Sequence, residues 1–226
     1  MSTVRKAINR GGFVRALLLD SSLAKILFWL TLLIASGAFA ADDDGNALVR
    51  ELQQGGYVIF FRHAGTNSAI KDIDTKNLTN CVTQRNLTSY GRQQSQMIGD
   101  AFKSLKIPVG EIFTSEYCRC VDTAKIAFGR ASPVPSLSSY MTVSDIEKQQ
   151  RVQSIRRLLN TVPAPGTNTV IVSHHFMFED ASGITLAEGE AAIFKPGAPE
   201  KGLFIARIPA EGWSGVVQHY MASTQP

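Results

Sequence analysis

Tyr57-Val58-Ile59-Phe60-Phe61-Arg62-His63-Ala64 is the stretch that decides the fold. Five apolar residues run without a polar break and then give way to an arginine and a histidine. An amphipathic helix would repeat its apolar residues every three or four positions, and a half-exposed strand would alternate. A short continuous apolar run suits a strand buried on both faces, as in a parallel sheet covered by helices. Thr169–Val172, Ala191–Phe194 and Leu203–Ala206 read the same way, and Glu111–Thr114 more weakly.

Helical patterns fall between these runs. Asn46–Gln53 can form a short first helix. Thr88 can cap a helix whose Met97, Ala101 and Leu105 share one face, widened by Ile98 and Phe102 and ended at Lys106-Ile107-Pro108. Cys118–Phe128 reads as a helix closed by Gly129. Ser144-x-x-Glu147 is a capping box that opens another, with Val152, Ile155 and Leu159 on its stripe and Pro163 beyond its end. Strand–helix alternation implies an α/β domain with a mainly parallel sheet and helices on both faces.

The chain has 226 residues, 44% hydrophobic and 19% charged, which excludes a disordered chain. Its formal charge of +4 invites a nucleic-acid or anionic-membrane partner until the charges are located. Residues 1–41 hold Arg5, Lys6, Arg10, Arg15 and Lys25 against Asp20 alone, so the rest of the chain is balanced. After the basic stretch come Ile26–Ala41, which carry no charge, then Ala38-Phe39-Ala40 as a small-x-small site, then Asp42-Asp43-Asp44. This is the pattern of a secretory signal peptide cut after Ala40 or Ala41. The alternative is an uncleaved inner-membrane anchor. Either way residues 42–226 form one domain that is periplasmic or secreted, with membrane contact only if the N-terminal segment stays on. Nothing in that domain asks for nucleic acid.

Cys81, Cys118 and Cys120 all lie in the exported part. An oxidising compartment permits one disulfide and leaves one thiol. Cys118 and Cys120 are too close in sequence to bridge without strain, so Cys81 pairs with one of them. A Cys-x-Cys with one distant Cys makes a poor zinc site. Asp72-Ile73-Asp74 looks like a metal-binding pair, but its Thr-, Asn- and Lys-rich surroundings read as a solvated turn. No metal and no cofactor are expected.

Ligands of such sheets sit beyond the carboxyl ends of the strands. The first strand runs into Arg62-His63 and the Thr169 strand into Ser173-His174-His175. The Glu111 strand runs into Ser115, with Arg119 one helical turn on. A neutral imidazole can attack phosphorus, and planar guanidinium forks suit the phosphoryl oxygens. His63 as nucleophile, with Arg62, Arg119 and His174 around it, could transfer a phosphoryl group without a metal.

Four segments together resemble the histidine phosphatase superfamily. Phe61-Arg62-His63-Ala64 resembles its nucleophile motif, with Ala64 where Gly is usual. Leu87-Thr88-Ser89-Tyr90-Gly91-Arg92-Gln93-Gln94 resembles its LTxxGRxQ helix start. Ser115 to Ala124 resembles its SxxxRxxxTA segment, and Val172-Ser173-His174-His175 its second-histidine strand end. The resemblance implies a three-layer α/β/α sandwich, phosphoglycerate mutase-like, and a phosphoric monoester hydrolase of histidine acid phosphatase type. It implies phosphorylation of His63 within a pocket of Arg62, Arg119 and His174. Mutase-like members carry a Glu after the pocket arginine, and Pro133–Val143 offers none. That leaves Glu188 and Glu190, in a Glu-Gly-Glu-Ala segment similar to that of exported members, as candidate proton donors, with Asp122 and Asp180 weaker. Arg85, on the long connection from Gly65 to Leu87, and His175 are candidate substrate contacts. Relatives with a Gln84-Arg85-Asn86-Leu87 segment place cysteines so as to favour Cys81–Cys118. The substrate so implied is a small organic phosphate or an envelope glycan phosphate. A catalytically inactive phosphate-ligand binder is the alternative, and a phosphomutase a lesser one.

Overall fold

A computed structural model describes residues 40–139, 143–199 and 201–224, with side chains from 45 onward. The chain divides between Asp43 and Asp44, and the second unit is the one set out below. The expected export signal lies, but for its last two residues, outside the described residues. Among the described residues no helix is long and apolar enough to cross a membrane.

Six strands form one sheet in the order β3-β2-β4-β1-β5-β6. They are β1 (Val58–Arg62), β2 (Val109–Thr114), β3 (Ser132–Pro133), β4 (Asn168–Ser173), β5 (Ala191–Lys195) and β6 (Leu203–Ile208). The described helices are α1 (Ala40–Gln54), α2 (Ser89–Ser104), α3 (Cys118–Phe128), α4 (Asp145–Leu159), α5 (His175–Ser182) and α6 (Gly212–Thr224). The unbroken apolarity of β1 has a direct cause. Ile59 and Phe61 pack into a cluster with Leu52, Ile98, Phe102 and Trp213, from α1, α2 and α6. Val58 and Phe60 point the other way, to Val152, Ile155 and Phe178 of α4 and α5. Both faces are covered, which gives the three-layer α/β/α sandwich.

The helix caps follow the sequence. The Thr88 hydroxyl accepts from Gly91 N and the Ser144 hydroxyl from Glu147 N. Gly129 ends α3 at φ +78°, a backbone conformation that costs glycine little. The sheet is mainly parallel, as expected: β3, β2, β4 and β1 run parallel, and β5 and β6 join antiparallel. One expectation needs correction, because the Leu203–Ala206 run is not buried on both faces. It lies on the edge strand β6, with Leu203, Phe204 and Ile205 exposed. Three helices and strands escape the sequence reading altogether. α5 spans two turns, too few for its periodicity to show, β3 is only two residues long, and α6 carries no strong apolar stripe.

Candidate active site

Register brings the histidines together. Arg62 stands opposite Ser173 on the parallel pair β1–β4, and Thr114 opposite Val172 on β2–β4. The next residues therefore leave three adjacent strands at one end of the sheet: His63, His174 and Ser115. Backbone bonds continue the ladder past the strands, from His63 N to Ser173 O at 3.0 Å and from Ser115 N to Val172 O at 2.9 Å. The rings of His63 and His174 meet edge to face with centroids 5.6 Å apart. Phe60 stacks on Phe178 at 4.0 Å, which seats α5, the helix that His174 caps, against β1.

His63 is 2% exposed. Its Nδ1 lies 2.9 Å from the Ala64 carbonyl oxygen, which can only accept, so Nδ1 carries the hydrogen. That tautomer leaves the lone pair on Nε2. Burial, and after it the positive charge of Arg119, holds the His63 pKa well below the usual 6.5, so the ring is neutral at neutral pH. His174 is depressed in the same way, by burial first and then by Arg119 and His63. Its Nε2 sits 2.8 Å from Ser115 Oγ.

Arg119 is buried in the first turn of α3. Its guanidinium lies 4.3 Å over the Tyr117 ring, and NH1 donates to Asp72 at 3.0 and 3.3 Å and to the Arg85 carbonyl at 3.4 Å. Arg62 is held by the Leu186 carbonyl at 2.9 Å and by Glu188 at 3.4 Å. With Arg85, Lys71, His175, Ile70, Phe176 and Ser139, these residues line a cavity of about 380 Å³. The Nε–H groups of Arg62, Arg85 and Arg119 are buried without a hydrogen-bond partner. Orphaned cationic donors around one cavity are costly unless an anion answers them.

The connection from Gly65 to Leu87 folds over this end of the sheet. Cys81 and Cys118 are bonded, with Cα atoms 5.7 Å apart, which ties the connection to the start of α3 and leaves Cys120 buried and free. Gln84, itself buried, makes a second tie: Oε1 accepts from Cys118 N at 3.0 Å and Nε2 donates to Leu78 O at 2.8 Å. α3 has no side-chain cap of its own, so Gln84 serves one of its orphan N–H groups. Thr123 completes the frame, accepting from Ala64 N at 3.1 Å and donating to Arg119 O at 2.7 Å. Gly91 permits the close seating of α2, since a Cβ there would collide with the Gly65 carbonyl.

The structure thus gathers Arg62, His63, Arg85, Arg119, His174 and His175 around one cavity. His175 lines it while pairing with Glu179 at 3.3 Å. The candidate proton donors are placed elsewhere. Both Glu188 oxygens are engaged by Thr66, at 2.7 and 2.9 Å, with Arg62 beside them, so Glu188 braces the arginine. Glu190 turns toward Ala187 N at 2.8 Å and Arg207 at 3.5 Å. Asp122 pairs with Arg92 and Asp180 with Lys148, and none of these four carboxylates lines the cavity. The Asp72–Asp74 reading is half right. Asp74 caps a turn, accepting from Lys76 N and Asn77 N, but Asp72 enters the cavity and holds Arg119. Asp72, Gln84 and Tyr117 are the residues that sequence reasoning missed. The only available signal was the length of the connection that bears the first two. Among the described residues no group of three or more His, Cys, Asp or Glu could hold a metal ion.

Comparison with known proteins adds the following. The model of the histidine phosphatase superfamily (branch 1) matches residues 58–138, which include His63, Arg85 and Arg119. Among solved structures, the protein histidine phosphatase SixA complexed with tungstate is 16% identical at a TM-score of 0.48, over 68% of this chain and 97% of that one. The product of an open reading frame of Mycobacterium tuberculosis is 17% identical at 0.48, over 67% and 96%. The alpha-ribazole phosphatase of Shigella flexneri is 14% identical at 0.46, over 66% and 95%. No curated protein matches.

Proposed function

The chain belongs to the histidine phosphatase superfamily, and from that premise we propose that it is an exported, metal-independent phosphomonoesterase that works through a phosphohistidine on His63. The observation that carries the reading is the tautomer of His63. The Ala64 carbonyl fixes the hydrogen on Nδ1, so a neutral imidazole keeps its Nε2 lone pair for phosphorus.

The surrounding cations suit that chemistry. In phosphoryl transfer the charge spreads over the non-bridging oxygens, and fixed donors stabilise it without reorganising. Arg119 is aligned by Tyr117 and Asp72, and Arg62 by Leu186 O and Glu188, so both forks are set in place. His174 stays neutral in this pocket, and a phosphate dianion beside it favours its protonation. The side chains thus provide the positive charge for which other phosphoryl-transfer enzymes use a metal.

Export is supported by the charge pattern of residues 1–41, and the Cys81–Cys118 bond fits an oxidising compartment. The substrate is a small organic phosphate or an envelope glycan phosphate, with no role for nucleic acid. The decisive experiment is hydrolysis of 4-nitrophenyl phosphate beside His63→Ala, with and without a chelator. Chelator-insensitive turnover, lost in the variant and inhibited by vanadate as a transition-state mimic, is expected. Turnover unchanged in His63→Ala would refute the mechanism, and turnover abolished by the chelator would refute metal independence.

A further inference from the structure

A phosphoryl group moving from an alcohol to His63 needs a proton for the departing oxygen, and none of the carboxylates expected to supply it lines the cavity. Asp72 is the one carboxylate among the residues that line it. Its oxygens lie 3.0 and 3.3 Å from NH1 of Arg119, and one of them also accepts from Arg85 N at 2.8 Å. The carboxylate is thereby fixed against the arginine that would grip the phosphoryl oxygens. The disulfide, Gln84 and the backbone bond from Ile73 N to Thr83 O hold the connection around it.

We propose that Asp72 is the catalytic acid and base of this site: it protonates the oxygen leaving phosphorus and then takes a proton from the water that hydrolyses the phosphohistidine. The assignment rests on the phosphomonoesterase reading. In the first half, His63 Nε2 bonds to phosphorus, the bond from phosphorus to the ester oxygen breaks, and its electron pair stays on that oxygen. The oxygen takes the Asp72 proton and leaves as the alcohol. In the second half, a water oxygen bonds to phosphorus while Asp72 accepts the water proton. The Nε2–phosphorus bond breaks, its pair returns to Nε2, and inorganic phosphate leaves.

One position serves both roles. The carboxylate lies against the arginine that would hold the phosphoryl group in both halves of the reaction. The proton it gives to the alcohol in the first half is recovered from water in the second, so the acid is restored at the end of each turnover.

The test compares Asp72→Asn with the unaltered protein on two esters of similar size, 4-nitrophenyl phosphate and benzyl phosphate. Nitrophenolate leaves unaided, whereas benzyl alkoxide needs a proton. For the variant, kcat on benzyl phosphate is expected to fall about 10²- to 10⁴-fold, and on 4-nitrophenyl phosphate less than about tenfold. An equal fall on both esters, or none on either, would overturn the assignment and leave Asp72 as a positioning residue for Arg119 at most. Asp72→Glu keeps the ion pair and displaces the acid, so it carries the same test should the first variant not fold. Selective loss on the benzyl ester is again expected, and uniform loss again overturns. If the unaltered protein cleaves neither ester, the phosphomonoesterase reading falls and takes this one with it. If it cleaves both through His63 while the Asp72 variants lose evenly, only this one falls.

Discussion

Two regions build the cavity by different means. The floor is a backbone product: β1, β4 and β2 end side by side, and His63, His174 and Ser115 are where the register puts them. The wall is the connection from Gly65 to Leu87, which outside its 3₁₀ turn at Cys81–Thr83 has almost no regular structure and is held by side chains. A disulfide, the Gln84 amide and the Asp72 carboxylate are its fastenings. The floor can fail only if the sheet fails. The wall can be undone one side chain at a time.

Substitutions can separate the two. The largest effect is expected on the floor: His63→Ala removes the nucleophile and should lower kcat by about 10⁴-fold or more while the far-ultraviolet spectrum is kept. Arg119 belongs to both regions, since α3 carries it and Asp72 aligns it. Arg119→Gln should cost about 10²- to 10³-fold in kcat/KM for an aryl phosphate, with a large share in KM. Cys81→Ser frees the wall alone. It releases a closed loop of 37 residues, so urea denaturation should show a loss of about 2–4 kcal/mol, and residual activity should depend on Gln84. Thr123→Val cuts the link between α3 and the residue after His63. It leaves the Ala64 N–H buried without its acceptor, and about 1–3 kcal/mol of stability should go with it.

The smallest effect is a pH dependence confined to the floor. His63 and His174 have folded pKa values below the unfolded 6.5, so the unfolded chain binds more protons in the interval between. Their contribution to stability is whole above pH 6.5 and is lost as the pH falls toward the folded values. Urea midpoints should therefore drop between pH 7 and about pH 5, and His63→Gln should shrink the drop. The acid limb of kcat/KM should likewise lie below pH 6.5, since the nucleophile stays neutral there.

The same contrast sets what the sequence discloses. A strand buried on both faces shows itself as an unbroken apolar run, and the residue after it is at the strand end wherever the run stops. Arg62, His63 and His174 were legible for that reason, and Thr88, Gly129 and Ser144 because caps are local chemistry. Asp72 reads as solvated because its neighbours in sequence are polar. Its true partner, Arg119, is 47 residues away, and a contact over that distance leaves no local pattern. Gln84 and Glu188 were obscured alike, for what each binds is fixed only by the fold. The edge strand β6 misled in the opposite sense, being apolar without being covered.

The leftover thiol has a use of its own. Cys120 is fully enclosed, and burial pushes its pKa up to about 12, so almost none of it is thiolate at neutral pH. A labelling reagent can then reach it only when the chain around α3 opens. The rate at which Cys120 reacts is a clock for that opening, set beside His174 and needing no engineered probe.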